Sequence, residues 1–184
     1  LYGAVLGNDA LRTELASRWA RHFTGTVSPA QVAITSGCNQ AFSATISAIC
    51  AEGDEVLLPT PWYFNHKMWL DMAGVTTVPL DTGVELMPDV ATAKALIGPR
   101  TKAIVLVTPN NPAGTEYSSE TVRAFYDLAK AHGLKLLIDE TYRDFDSRDG
   151  APHTLVGLPD WDETLIQLYS FSKAYRLTGH RVGA

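Results

Sequence analysis

The residues with the clearest chemical potential lie in short groups separated by long apolar stretches. Lys173 ends the group Ser170-Phe171-Ser172-Lys173, and Asp139 and Tyr142 lie earlier in the chain. A neutral lysine amine is a nucleophile that forms Schiff bases with carbonyl compounds. A carboxylate or a phenol beside such an amine can hold or transfer protons. These residue types make Lys173 a candidate nucleophile, with a carboxylate at Asp139 and a phenol at Tyr142 available to it.

A second set of residues suits the binding of a phosphate dianion. Residues 37–39 enter a predicted helix, and the free backbone N–H groups at the start of a helix bind anions. Two serines beside Lys173 add hydroxyl donors, and Arg181 adds a permanent cation with a planar fork of donors. The candidates for phosphate binding are therefore Gly37, Cys38, Asn39, Ser170, Ser172 and Arg181.

The remaining candidates suit an aromatic ring. Tyr63 offers a flat face on which a ring can stack, and Asp139 offers a carboxylate to a ring nitrogen. A phosphate, a ring, a partner for the ring nitrogen and an amine together describe pyridoxal phosphate (PLP) better than a nucleotide. The sequence contains neither a P-loop nor a GxGxxG motif that would favour a nucleotide.

Each of these groups follows a predicted β-strand. Continuous apolar strands, such as KAIVLVT at 102–108 and LKLLI at 134–138, alternate with amphipathic helices. This pattern predicts an α/β fold of three α/β/α layers with a mostly parallel sheet. Such sheets bind ligands beyond the carboxyl ends of their strands. Five strand ends therefore point polar or aromatic groups at one edge, after the strands at 31–35, 55–58, 102–108, 134–138 and 164–169.

Helices are predicted between the strands from apolar spacing and capping residues. Pro61 is expected in the first turn of one helix, which Gly74 closes, and Ser118 or Ser119 caps another. A further short strand is expected at 75–79. The other helices are predicted at 10–23, 41–51 and 88–97.

Composition and charge exclude several classes of function. The 184 residues are 46% hydrophobic and 19% charged with a net charge of −5, and no basic face or long apolar run predicts binding to nucleic acid or a membrane. Cys38 and Cys50 form no CxxC motif, so no disulfide or zinc site is indicated and a reduced, cytoplasmic setting is expected. No metal site is predicted. The histidines are expected to lie at the surface or at helix ends, at positions His22, His66, His132, His153 and His180.

Three motifs in a fixed order resemble those of class I/II aminotransferases, which are fold type I PLP enzymes. Ser170-x-Ser172-Lys173, followed by Gly179-x-Arg181-x-Gly183, resembles the lysine signature of that family. Asn110-Asn111-Pro112-x-Gly114 resembles its asparagine motif, and Asp139-Glu140-x-Tyr142 resembles its aspartate–tyrosine motif. The resemblance spans nearly the whole chain, from Tyr2 to Gly183, and it implies that residues 1–184 form an incomplete PLP-binding large domain.

The resemblance implies a role for each matching residue. Lys173 would hold PLP as a Schiff base and then act as general acid and base between the substrate Cα and the cofactor C4′. Asp139 would keep the pyridine nitrogen protonated, which makes the ring an electron sink. Asn111 and Tyr142 would hydrogen-bond the phenolate oxygen of the ring, and Tyr63 would stack on the ring. The phosphate would be held by the amides of Cys38 and Asn39 together with Ser170, Ser172 and Arg181.

The resemblance also implies a partner subunit. Tyr2, in Tyr2-Gly3-x-x-x-Gly7, resembles a tyrosine that reaches the phosphate of a neighbouring subunit, which implies a homodimer with shared active sites. The family's N-terminal arm and its smaller C-terminal domain, which carries the arginine for the substrate α-carboxylate, have no counterpart in this sequence. The chain is therefore expected to be part of a longer protein, and its amino-acid substrate cannot be identified from these residues.

Three functions remain open at this point. The leading hypothesis is transamination between an amino acid and a 2-oxo acid, a reaction of amino-acid metabolism. The same cofactor residues suit a PLP-dependent lyase of the ACC-synthase-like or C–S lyase type, which would release ammonia without an acceptor. The third is the PLP-sensing, aminotransferase-like domain of a transcription regulator, which an upstream winged-helix segment would reveal.

Overall fold

A computed structural model of the protein describes residues 3–184 and contains a sheet of five parallel strands. The strands lie in the order β2-β1-β3-β4-β5, so the chain moves outward from β1 first to one side and then to the other. In chain order their bounds are β1 Glu55–Thr60, β2 Thr76–Asp81, β3 Thr101–Val107, β4 Lys135–Asp139 and β5 Leu165–Leu168. The parallel α/β sheet predicted from the apolar strands is confirmed.

Helices cover both faces of this sheet. Along β3, Ile104 and Leu106 face one apolar core while Ala103 and Val105 face another, and all four are fully buried. The first core also takes residues from α1, α4 and α5, and the second takes residues from α2 and α3. The bounds of the helices are α1 Asp9–His22, α2 Cys38–Ile49, α3 Phe64–Met72, α4 Val90–Leu96 and α5 Ser119–Ala131.

The strand predicted at 31–35 is wrong. Ser28 and Gln31 form a capping box around a 3₁₀ turn at Pro29–Gln31, because each side chain accepts a hydrogen bond from the backbone of that turn. Beyond the turn, Thr35 forms an isolated antiparallel bridge with Gly183 instead of joining the sheet. Local polar capping therefore takes precedence over the short apolar pattern.

The helix predicted to start near Pro61 begins later, at Phe64. Strand β1 continues through Pro59 and Thr60, which pair with Leu80 and Asp81, so the chain leaves the sheet only at Pro61. This extra length carries the next residues past the sheet edge before α3 begins.

Among the helices of residues 3–184, none combines the length and the apolar character that crossing a membrane requires.

The start of α5 gives a test of local stability. Ser118 is the N-cap, and its hydroxyl accepts a hydrogen bond from the Thr121 backbone N–H at 3.1 Å. Ser118→Ala should lower the free energy of unfolding by about 1 kcal/mol, because that N–H loses its partner. Urea denaturation followed by circular dichroism measures the change. The neighbouring variant Ser119→Ala serves as the control, and an equal loss in both variants would contradict the capping role.

Candidate active site

One pocket of about 320 Å³ lies at the carboxyl edge of the sheet. Residues following β1, β3, β4 and β5 line it together with the start of α2. Four strand ends and one helix start therefore build the site that was expected from five strand ends. The pocket is lined by Cys38, Asn39, Tyr63, Phe64, Val107, Asn111, Asp139, Thr141, Tyr142, Ser170, Ser172, Lys173, Thr178 and Arg181.

One predicted site residue, Gly37, is not part of this lining but is the N-cap of α2, directly before Cys38. Another, Tyr2, lies outside the described residues. Sequence reasoning also missed four pocket residues, namely Phe64, Val107, Thr141 and Thr178.

Arg181 is held beside the start of α2 by very close packing. Its Nη1 donates to Ser172 Oγ at 3.2 Å and to the Thr178 carbonyl at 3.0 Å. Gly37 has a positive φ of 87°, and a Cβ at this position would collide with the Arg181 guanidinium. A side chain at residue 37 would therefore displace the cation from the pocket wall.

The backbone of Gly183 also packs closely against the start of α2. A Cβ at Gly183 would lie 2.5 Å from the Cys38 backbone nitrogen, so only glycine fits here. The bridge between Thr35 and Gly183, with N–O distances of 2.8 and 3.0 Å, holds this approach in place. Gly179, by contrast, has open space around it, so of the two glycines flanking Arg181 only Gly183 makes a close backbone approach.

Asp139 is the last residue of β4 and presents a buried carboxylate to the pocket, with 3% of the residue exposed. Its Oδ1 accepts a hydrogen bond from Thr141 N at 2.9 Å, and its Oδ2 lies 3.1 Å from Nε2 of His66. Burial on its own would raise the pKa of Asp139, but His66 and Thr141 outweigh burial and hold the pKa below its usual value. The site therefore contains a carboxylate that stays ionised out of water.

His66 is the principal functional candidate that sequence reasoning missed. It was expected at the surface, yet it is 1% exposed on the inner face of α3, with its ring stacked on Phe42 at 4.1 Å. Neither ring nitrogen has a well-aligned hydrogen bond within residues 3–184, although Nε2 points toward Asp139. The available signal was helical spacing, because His66 and the buried Leu70 lie four residues apart on one face.

His153 was also expected at the surface and is instead fully buried. It belongs to a polar cluster on the side of β4 opposite the pocket. Its Nδ1 accepts a hydrogen bond from Leu155 N at 3.3 Å, and its Nε2 lies 3.4 Å from Glu140 Oε1. Gln167 donates to the other oxygen of Glu140 at 2.9 Å. Glu140 therefore points away from the pocket that Asp139 faces.

Arg143 completes this opposite cluster. Its guanidinium lies 3.9 Å from the centroid of the Tyr169 ring and 5.2 Å from that of Trp19, and its Nη1 lies 4.0 Å from Glu140 Oε2. Arg143 directly follows Tyr142 in sequence, so the stacked cation anchors the segment that carries a pocket residue.

Lys173 and Tyr142 stand next to each other at the pocket. The Nζ of Lys173 lies 5.9 Å from the centroid of the Tyr142 ring, and the lysine side chain is exposed. Tyr63 forms another part of the wall, with its ring edge-on to His66 at 5.2 Å, and burial raises the pKa of its phenol. The amine can therefore reach solvent-borne reactants while the aromatic rings stay fixed.

Asn111 faces the pocket because its neighbour forms the turn. Asn110 Oδ1 accepts from Ala113 N at 2.9 Å, and its backbone bonds to Thr115 and Gly114 close the loop. Within the asparagine motif Asn110 thus forms the turn, which leaves the Asn111 side chain free to line the cavity.

Within the described part of the chain, histidine, cysteine, aspartate and glutamate side chains form no group of three placed to hold a metal ion.

The whole chain, residues 1–184, matches the sequence model of the family described as aminotransferase class I and II. The arginine–pyruvate transaminase of Pseudomonas aeruginosa is 33% identical over 186 residues, which cover 99% of this chain and 47% of the relative. The alanine aminotransferase of Mycobacterium tuberculosis is 36% identical over 83% of this chain and 36% of its own length. The chain thus spans half or less of the length of these curated relatives.

Solved structures are similar over the full described fold. The aspartate aminotransferase of Thermus thermophilus with maleate superposes with a TM-score of 0.92 at 30% identity, covering 100% of this chain and 48% of that one. An aromatic aminotransferase from Pyrococcus horikoshii gives a TM-score of 0.92 at 28% identity, covering 100% of this chain and 50% of that one.

The contact between His66 and Asp139 predicts a measurable coupling. His66→Leu should lower the free energy of unfolding at pH 7 by about 2–4 kcal/mol, because a buried carboxylate loses one of its few partners. His66 is one of the groups that oppose the effect of burial on the pKa of Asp139, so the loss should shrink as the pH falls below 7 and the carboxyl of the variant takes up a proton. Urea titrations across this pH range measure it.

The control for this prediction is His132→Leu, which changes an exposed histidine at the end of α5. It should cost less than about 0.5 kcal/mol. In an Asp139→Asn background the cost of His66→Leu should fall by at least half, and an undiminished cost there would show that His66 acts by packing alone.

Proposed function

Because the chain belongs to the aminotransferase class I and II family, we propose that the full protein is a PLP-dependent aminotransferase. It would move an amino group from an amino acid to a 2-oxo acid. The observation that carries this proposal is a single cavity lined by the amine of Lys173, the ionised carboxylate of Asp139 and the bonded pair of Arg181 and Ser172. The names of relatives specify arginine, aspartate and alanine, so family membership leaves the amino acid open.

The phosphate of PLP fits the part of the pocket around the start of α2. Backbone N–H groups at this helix start have no partner inside the helix, and they attract anions. The exclusion of a Cβ at Gly37 and at Gly183 keeps backbone and guanidinium close together, as a small anion requires. We assign phosphate binding to Cys38, Asn39, Ser170, Ser172 and Arg181, with Gly37 making room for the arginine.

The pyridine ring fits the part of the pocket around Asp139. A buried carboxylate whose pKa is held low suits a cationic ring nitrogen, since opposite charges attract strongly away from water. We assign the ring face to Tyr63 and the ring's phenolate oxygen to Asn111 and Tyr142. His66 would support Asp139 from behind by keeping its carboxylate ionised and oriented.

When bound, PLP supplies an electron sink that stabilises the negative charge left on the substrate when its Cα–H bond breaks. Lys173 would attach the cofactor and would move the proton at the substrate Cα. Its exposed amine beside the Tyr142 ring is in a position to meet a substrate that enters from solvent. Asp139 would keep the proton on the ring nitrogen, and Tyr142 would hold a proton at the phenolate oxygen.

We also propose the wider organisation of the protein. Residues 1–184 would form the PLP-binding large domain of a longer protein, because the relatives are about twice as long as this chain. The N-terminal arm, the small domain and its carboxylate-binding arginine would then belong to the rest of that protein. A homodimer with shared active sites, to which Tyr2 would contribute, and a cytoplasmic location remain part of this proposal.

The activity itself is tested with the purified full-length protein and PLP. Amino acids mixed with 2-oxo acids should yield the exchanged pair, because the pocket offers an amine that can attach PLP and move a proton, and a carboxylate that supports the electron sink. Chromatography of products from a broad amino-acid panel measures the exchange. Release of ammonia and a keto acid without an acceptor would support the lyase instead, and PLP binding without turnover would support the sensing domain.

Lys173 gives the sharpest single substitution. Lys173→Ala should abolish the covalent adduct that borohydride fixes between the protein and PLP, since the variant lacks the attaching amine. Mass spectrometry of digested protein locates the adduct. Lys135→Ala is the matched control, because Lys135 lies at the start of β4 at the opposite edge of the sheet from the pocket. Labelling of another lysine in the Lys173→Ala variant at the wild-type level would contradict the assignment.

A further inference from the structure

Cys38 holds a position that links two walls of the pocket. It is the first residue of α2, it is 8% exposed, and its backbone nitrogen packs against Gly183. Its side chain points the other way, toward the end of β4, where the sulfur lies 3.6 Å from Oδ2 of Asp139. The residue therefore contacts the phosphate side with its backbone and the carboxylate with its thiol.

The thiol acts as a hydrogen-bond donor at neutral pH. Burial is the largest influence that raises the pKa of Cys38 well above its usual value, and the neighbouring charge of Asp139 raises it further. The proton therefore stays on sulfur, and the S–H group gives Asp139 Oδ2 a weak donor.

The S–H group completes the set of contacts around the carboxylate. Thr141 N donates to Oδ1, and His66 Nε2 approaches Oδ2 at 3.1 Å from α3. Cys38 reaches the same Oδ2 from α2, so two helices on one side of the sheet hold one oxygen atom. Donors around a carboxylate fix its orientation and reduce the negative potential that it exerts elsewhere.

On the premise that the pocket binds PLP as proposed above, we propose that Cys38 is a positioning residue for Asp139. Its thiol orients the carboxylate toward the ring nitrogen and weakens the pull of that carboxylate on protons of the bound cofactor. The backbone N–H of residue 38 would bind the phosphate, and its side chain would orient the carboxylate that contacts the ring. A single residue would therefore link the two ends of the cofactor site.

The first test uses the full-length protein loaded with PLP and follows its visible absorbance against pH. Cys38→Ala removes the donor, so the negative potential that Asp139 exerts on the cofactor becomes stronger. The pH midpoint of the absorbance change should therefore rise by roughly 0.5 pH unit. Cys38→Ser keeps a hydroxyl donor and should stay within about 0.2 unit of wild type. Cys50→Ala is the matched control, since Cys50 is the C-cap at the far end of α2.

The comparison of the two Cys38 variants decides the role of the thiol. A shift in Cys38→Ala that Cys38→Ser restores supports the proposal. An unchanged midpoint in Cys38→Ala overturns it, and so does an equal shift in both variants, because loss of size or packing would then explain the effect. PLP affinity measured by fluorescence titration should weaken in Cys38→Ala by about two- to fivefold and recover in Cys38→Ser.

The second test uses the cofactor-free full-length protein and needs no PLP. Iodoacetamide labelling at pH 9, read for each cysteine by peptide mass spectrometry, reports the thiolate fraction of Cys38. Asp139→Asn removes the negative charge beside the sulfur and should speed labelling of Cys38 by about tenfold. The rate at Cys50 should change by less than about twofold.

Asn111→Ala is the control for simple opening of the pocket. It removes another polar side chain of the same wall and leaves the charge of Asp139 in place. The proposed contact would be contradicted if labelling of Cys38 became equally faster in the Asn111 and Asp139 variants. It would also be contradicted if labelling of Cys38 became no faster in the Asp139 variant. Failure of the wild-type protein to bind PLP would contradict the proposed function. The labelling result would still decide whether the thiol and the carboxylate interact.

Discussion

A carboxylate charge buried at the end of a central strand is the constraint on which the site depends. Asp139 is 3% exposed, and an isolated charge in such a place would cost far more than the fold can supply. The cost is offset by Thr141 from the same chain segment, by His66 from α3 and by Cys38 from α2. Helix α3 therefore contributes to this site by presenting His66 inward, and α2 contributes by beginning at residue 38.

Side chains at the end of β4 make contacts on both faces of the sheet. Asp139 faces the pocket, while Glu140 faces a separate cluster with His153 and Gln167. Arg143 lies on that second side, stacked on Tyr169. Successive residues point in opposite directions at a strand end, so each side chain can be fixed by a different layer of the fold. The segment that carries the pocket residues is thus held from both faces, and its backbone has little freedom to shift.

The sequence predicted the sheet and most of the pocket because those signals are local. Continuous apolar runs identified β3 and β4, and a capping serine at 118 or 119 identified the start of α5. Helical spacing with Leu70 could have indicated that His66 is buried, but its contact with Asp139 was not predictable in this way, because that carboxylate belongs to another element far along the chain. The Cys38–Asp139 contact likewise joins residues 101 positions apart. The strand expected at 31–35 was wrong because its pattern is short and a capping box nearby competes with it.

Gly183 has a consequence for the way this protein is made. The residue packs against the backbone of Cys38 and pairs with Thr35, so the start of α2 is braced by a segment synthesised much later. Long-range contacts of this kind form only after both partners exist and the intervening chain has been ordered. While the ribosome is still adding residues before 181–184, the nascent chain can form its early helices, but the pocket wall beside the start of α2 is incomplete. The pocket should therefore be complete only after Gly183 has packed against the start of α2.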